Sequence, residues 1–112
     1  MSKSSRGELG VIVPRAVVRQ LARGLLAYAR GEGGAGLRPA TVREASAVVE
    51  TGVMPLEKVS RLVAWHARHG AARAEVSARR RPSPARTAWL LWGGDIARRW
   101  GAETLAAIEA GL

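Results

Sequence analysis

Apolar positions recur along this chain at helical spacing, three or four residues apart, and not in alternation. Behind Pro14, residues Val18, Leu21, Leu25 and Tyr28 fall on one face of a segment reaching Arg30. Proline suits the first position of a helix, where its missing N–H breaks no hydrogen bond. Gly31 is a C-terminal stop. Pro39 opens a second helix through Val42, Ala45, Val48 and Val49, ended by Gly52. Pro55 opens a third, with Leu56, Val59, Leu62, Val63 and His66 on its apolar face and Gly70 after its end. Ser83 and Pro84 form an N-cap and first-turn pair for a short helix carrying Trp89, Leu90, Leu91 and Trp92. Gly93-Gly94 breaks it, and Asp95 caps a last helix that buries Ile96, Trp100 and Ile108. The spacing thus predicts helices over 14–30, 39–51, 55–69, 84–92 and 95–110.

No alternating Val/Ile/Thr run is long enough for a sheet, and Ala and Leu favour helix. The expected fold is all-α, a compact bundle of about four to five short helices in one domain over 14–112. Residues 1–13 are expected to be a flexible N-terminal arm that docks through the Val11–Val13 run, and 31–36 a flexible glycine loop. Residues 71–83 read as an exposed arginine-rich linker centred on Arg79, Arg80 and Arg81. A chain of 112 residues that is 47% hydrophobic suffices for one core and not for two.

Charge changes the picture more than composition does. The net charge is +9, from 18 basic and 9 acidic residues. A field of that sign attracts nucleic acid, anionic lipid or an acidic protein. A GC-rich genome accounts for arginine replacing lysine, but not for basic residues outnumbering acidic ones. The chain has no cysteine, which excludes disulfides, thiolate metal sites and cysteine nucleophiles. No apolar stretch approaches the length of a membrane span, and the basic start is not followed by a leader-like apolar segment. The expectation is therefore no membrane association.

Two arginine arrangements stand out. Arg15, Arg19 and Arg23 lie at i, i+4 and i+8, and Arg30 returns to the same quarter-turn of the first helix. Such a row is mildly self-repelling; it is either a solvated face or a stripe that tracks phosphates. In the third helix Trp65 is flanked by Arg61 and Arg68 at i−4 and i+3, off the apolar arc. This indole is either a stacking platform between two guanidinium groups or a surface covered by another helix. Arg79, Arg80, Arg81, Arg98 and Arg99 complete the candidate phosphate contacts.

The other motifs yield little chemistry. The Gly31–Gly36 stretch lacks the Lys-Ser/Thr ending of a phosphate-binding loop. The segment from Gly52 to Arg61 resembles the turn and recognition helix of helix-turn-helix repressors, but its glycine-to-valine spacing is off by one and Val48 stands where alanine is expected. Two antiparallel helices sharing a core are the favoured reading. His66 and His69 stand three apart, but the chain has no cysteine and the nearest carboxylate one turn back, Glu57, falls on another face, so no metal or other cofactor is expected. Ser60 and His66 point to different faces, and no nucleophile is paired with a base, so the chain is not expected to be an enzyme.

The block Ala88-Trp89-Leu90-Leu91-Trp92-Gly93-Gly94-Asp95, with Trp100 five residues on, is the most distinctive stretch. It resembles a small domain encoded in many tailed-phage and prophage genomes, often near head-maturation genes such as the prohead protease. Val13-Pro14, Pro55 with Ala67-Arg68-His69, and Ser83-Pro84 also match that pattern, so the resemblance spans roughly 13 to 100. The 70–82 stretch departs from it, being shorter and more arginine-rich than the acidic, glycine-containing linker of those domains. The resemblance implies a phage or prophage origin and assigns no site roles.

The expected function is that of a phage-encoded, basic nucleic-acid-binding protein whose arginines hold the phosphate backbone largely without reading sequence, on DNA sooner than RNA. It would act in the cytoplasm of the bacterial host or in the virion, with homo-oligomerisation open. The first alternative is a virion or head-assembly component that binds an acidic capsid or portal surface. The second is a phage inhibitor of a host enzyme.

Overall fold

The computed structural model describes residues 9–78 and 81–111, with backbone alone for 71–78. The chain order is strand β1 (Gly10–Ile12), helix α1 (Arg15–Ala29), helix α2 (Pro39–Thr51), strand β2 (Val53–Pro55), then helices α3 (Leu56–Ala78), α4 (Pro84–Leu91) and α5 (Gly94–Gly111). The protein is an all-α bundle carrying one short antiparallel ribbon, in which Gly10, Val11 and Ile12 oppose Pro55, Met54 and Val53.

That ribbon replaces part of the expected arm. Val11 and Met54 face the core, and Met54 is fully buried. The Val13 N–H donates to the Gly52 carbonyl at 2.9 Å, and the Leu56 N–H to the Leu9 carbonyl at 2.9 Å. Gly52 ends α2 in the left-handed conformation (φ 75°), as its sequence position predicts. The chain then extends through β2 where a plain helix-to-helix turn was expected.

α1 packs closely on α2 and α4, and α3 on α4 and α5. The buried stripe of α1 is Val17, Leu21, Gly24 and Ala27, whereas Tyr28 is exposed. The apolar arc is thus rotated from the one its larger side chains suggest. The reason is close approach: a Cβ on Gly24 would lie 2.8 Å from the Leu91 nitrogen and 2.9 Å from the Leu90 carbonyl carbon. α5 likewise turns Ala97 and Gly101 to the core, Gly101 against Leu62 and Val63, while Ile96 is exposed instead of buried.

Two other expectations are corrected. α3 runs through Gly70 to Ala78, so most of the supposed linker is helix. The glycine loop is pinned: the Thr87 hydroxyl donates to the Glu32 carbonyl at 3.1 Å, and Gly34 abuts the Pro84 ring.

Candidate nucleic-acid interface

A cleft of about 870 Å³ opens between the start of α2, the middle of α3, the start of α4 and the loop before α2. Its aromatic wall is Trp65 and Trp92, stacked with ring centroids 5.4 Å apart and planes at 12°, with the His69 ring 4.6 Å from Trp65. Trp92 is set there by the turn that follows it. Gly93 (φ 86°) and Gly94 (φ 69°) both adopt left-handed backbone, and a side chain on Gly93 would run into Ala97. The buried His66 fixes the same turn from below, its Nε2 2.8 Å from the Trp92 carbonyl oxygen. Nδ1 of His66 is buried without a partner, so the neutral ring donating through Nε2–H satisfies this geometry. Burial holds the imidazole below its usual pKa, against the Trp92 bond that favours the charged form.

Beneath the wall lies a charge network. Lys58 is 2% exposed, and its Nζ sits 2.8 Å from Glu44 Oε1 and 4.0 Å from the Trp92 ring centroid. Arg61 spans Glu44, at 3.2 Å from its Nη1, and Glu57, at 2.6 Å from its Nε. Burial lowers the Lys58 pKa, and Glu44 opposes that shift by favouring the ammonium. Burial alone would raise the Glu44 carboxyl, but hydrogen bonds from Lys58 and Arg61 outweigh it and hold Glu44 below its usual value. Hydrogen bonds donated to Glu57 and Glu44 keep the Arg61 guanidinium above its usual range. The carboxylate facing the cleft is therefore neutralised by two cations.

The rim is basic. Arg38 and Arg68 line the cleft and are exposed. α2 begins there with Arg38 as N-cap, no side-chain cap and no acidic residue in its first turn. Thr41 lines the cleft at 7% exposure, and its N–H donates to the Arg38 carbonyl at 3.0 Å.

The arginines expected to bind phosphate sort into different settings. Arg15, Arg19, Arg23 and Arg30 are exposed along α1 and its C-cap, and meet no carboxylate at ion-pair distance among the described residues. Arg61 is held by two glutamates. Arg98 and Arg99 share Asp95, at 2.7 and 3.4 Å. Arg68 and Trp65 meet at the cleft, and Arg81 is exposed just ahead of α4. Arg79 and Arg80 lie outside the described residues. Trp65 lines the cleft with Trp92 stacked on its ring and His69 beside it.

Sequence reasoning did not single out Glu44, Lys58, Arg38, Thr41 or the wall position of Trp92. A signal existed for the first two: Glu44 lies three and four residues from Thr41 and Val48 on the buried arc, and Lys58 adjoins Val59 and precedes Leu62 by one turn. Among the described residues no cluster of three His, Asp or Glu side chains is placed to hold a metal ion, and no helix is long and apolar enough to cross a membrane. No known family, curated protein or solved structure matches the chain.

Proposed function

We propose that this chain is a phage-encoded nucleic-acid-binding protein and not an enzyme, one that holds phosphates through arginines with little reading of sequence. The observation that carries this is the row Arg15, Arg19 and Arg23. These cations span two turns of a helix, about 12 Å, with no acidic partner among the described residues. Arg61, Arg98 and Arg99, by contrast, are paired with Glu44, Glu57 and Asp95. An uncompensated, mutually repelling row is favoured once phosphates neutralise it. The Trp-Gly-Gly-Asp block supports a tailed-phage or prophage origin, with action in the bacterial cytoplasm or the virion.

The test is a fluorescence-anisotropy titration of nuclease-treated protein with a duplex at low and physiological salt. Engagement of six or more phosphates predicts a fall in affinity of about 10³-fold over that range. A flat salt response, or no binding at about 50 mM salt, removes the proposal.

A second reading, a head-assembly component on an acidic capsid or portal surface, is favoured by one feature. Ile12 and Val53 face each other across the ribbon at 82% and 40% exposure, an apolar pair of the kind protein contacts cover. Co-purification with head proteins after nuclease treatment, without nucleic-acid affinity, would select this reading.

A further inference from the structure

We infer that the outer edge of β1 pairs with the same edge of a second copy of this chain, antiparallel about a two-fold axis at Val11, so that two ribbons join into one continuous sheet. This goes beyond the nucleic-acid reading above and does not depend on it. The two edges of the ribbon are unlike. In β2 the groups that point away from β1 belong to Val53 and Pro55. Pro55 has no N–H; the Thr51 hydroxyl accepts from the Val53 N–H at 3.1 Å and lies 3.3 Å from the Val53 carbonyl oxygen. An edge closed by proline and a side-chain hydroxyl resists a further strand. β1 lacks both devices. Leu9 and Val13 bond inward to Leu56 and Gly52, so by alternation Gly10 and Ile12 turn their N–H and carbonyl groups outward. Those groups have no partner among the described residues, and Leu9, Gly10 and Ile12 are all exposed, Ile12 at 82%.

A second copy fits because the edge is complementary to itself. Two-fold antiparallel pairing sets Gly10 of each copy opposite Ile12 of the other, and each such pair exchanges both of its N–H···O bonds. Gly10 and Ile12 share the ribbon face that carries Pro55 and Val53, the one turned away from the core. Each Ile12 then lies between Val53 of its own copy and Gly10 of the other, where the missing Cβ leaves room for it. The exposed Ile12–Val53 pair becomes part of a longer apolar strip, and β1 carries no charge to repel its own image. Only three residues pair, and such a contact buries less than the roughly 1,200 Å² of a standard interface, so the dimer is weak, with a Kd on the order of 100 µM. Salt should tighten it by screening the repulsion between copies of charge +9, whereas salt loosens phosphate contacts.

Sedimentation velocity of the nuclease-treated full chain, from about 10 µM to about 1 mM at two salt concentrations, would be paired with amide hydrogen exchange read residue by residue by NMR. The expected result is a monomer–dimer equilibrium that tightens with salt. The Gly10 and Ile12 amides should exchange freely in dilute protein and become protected as the dimer fills, with Val13 protected throughout. Ile12→Pro removes an outward donor and leaves the inward bonds of the ribbon in place, and Ile12→Lys puts an added cation on the strip. Each should weaken the dimer at least about tenfold. A chain still monomeric at about 1 mM would overturn the inference. So would Gly10 and Ile12 amides protected at every concentration, which would mean that the edge is already covered within one copy. A dimer that both variants retain, with those amides exchanging freely, would place the interface elsewhere and overturn it as well. Should Ile12→Pro lose helicity, Ile12→Lys and the exchange pattern of the unaltered chain decide.

Discussion

The Nε2 of His66 lies 2.8 Å from the backbone carbonyl oxygen of Trp92, and this bond ties the middle of α3 to the turn between α4 and α5. His66 is 1% exposed, and its other ring nitrogen has no partner. Protonation would place an N–H there with nothing among the described residues to accept it, near the Arg98 guanidinium, which disfavours the charge, and Asp95, which favours it.

Stability should therefore fall on mild acidification. The folded-state pKa of His66 lies below the ordinary value of 6.5, so above pH 6.5 both states are neutral and stability is flat with respect to this group. Below pH 6.5 the unfolded chain takes up a proton that the folded chain refuses, and stability declines by up to about 1.4 kcal/mol per pH unit until the folded pKa is reached. Urea unfolding between about pH 7.5 and 5 measures the slope. His66→Gln, which retains a donor toward Trp92, should flatten that slope; an undiminished slope in this variant would assign the pH dependence elsewhere.

The Glu44–Lys58 pair predicts an asymmetry between its two partners. Glu44→Gln leaves the buried Lys58 ammonium short of its counter-charge and should cost about 2 kcal/mol, below the range for fully buried pairs because Glu44 is 36% exposed. Lys58→Met removes the buried charge and fills its volume, at a cost under about 1 kcal/mol. Adding Lys58→Met to Glu44→Gln should recover most of the loss. Chemical denaturation of the four proteins decides this, and strictly additive effects would show that the pair carries no coupling.

The α1 row has a quantitative signature in binding. If Arg15, Arg19 and Arg23 each neutralise a phosphate, replacing all three by Ala should reduce the slope of log affinity against log salt by about 2.7 on duplex DNA. The same triple on Arg61, Arg98 and Arg99, whose charges are shared with Glu44, Glu57 and Asp95, should reduce it by less. Equal reductions would mean that phosphate contact follows total charge and not the uncompensated row.

Much of the architecture was legible because its punctuation is chemical. Pro39, Gly52 and the Ser83-Pro84 pair mark helix ends through backbone restrictions that hold in any context, and the Ser83 hydroxyl does accept the Arg86 N–H at 3.0 Å. What escaped were features created by other elements. β1 forms only because Val53–Pro55 is extended beside it. The buried arc of α1 was misjudged because Gly24 and Ala27 carry no hydrophobic signal, although their smallness lets α4 approach. The cleft joins Trp65, Trp92, Thr41 and Arg38 from three helices, a juxtaposition that no local spacing encodes.

Two glycines inside helices have opposite roles, and a pair of alanine substitutions separates them. Gly70 reads as a helix stop, but it sits inside α3 without positive φ, and a Cβ there meets no described atom within 4 Å. Gly70→Ala should therefore stabilise the protein by about 0.5–1 kcal/mol, through lower unfolded-chain entropy and higher helix propensity. At Gly24 the new methyl meets Leu90 and Leu91 backbone under 3.0 Å, and backbone of a packed helix cannot swing aside as a side-chain tip does. Gly24→Ala must push α1 and α4 apart, which outweighs its propensity gain and should cost about 1–3 kcal/mol. Thermal melts of both variants read the two signs directly. A stabilising Gly24→Ala would show that α1 and α4 do not approach as closely as this packing requires, and with it the seating of Trp92 on the cleft wall would need revision.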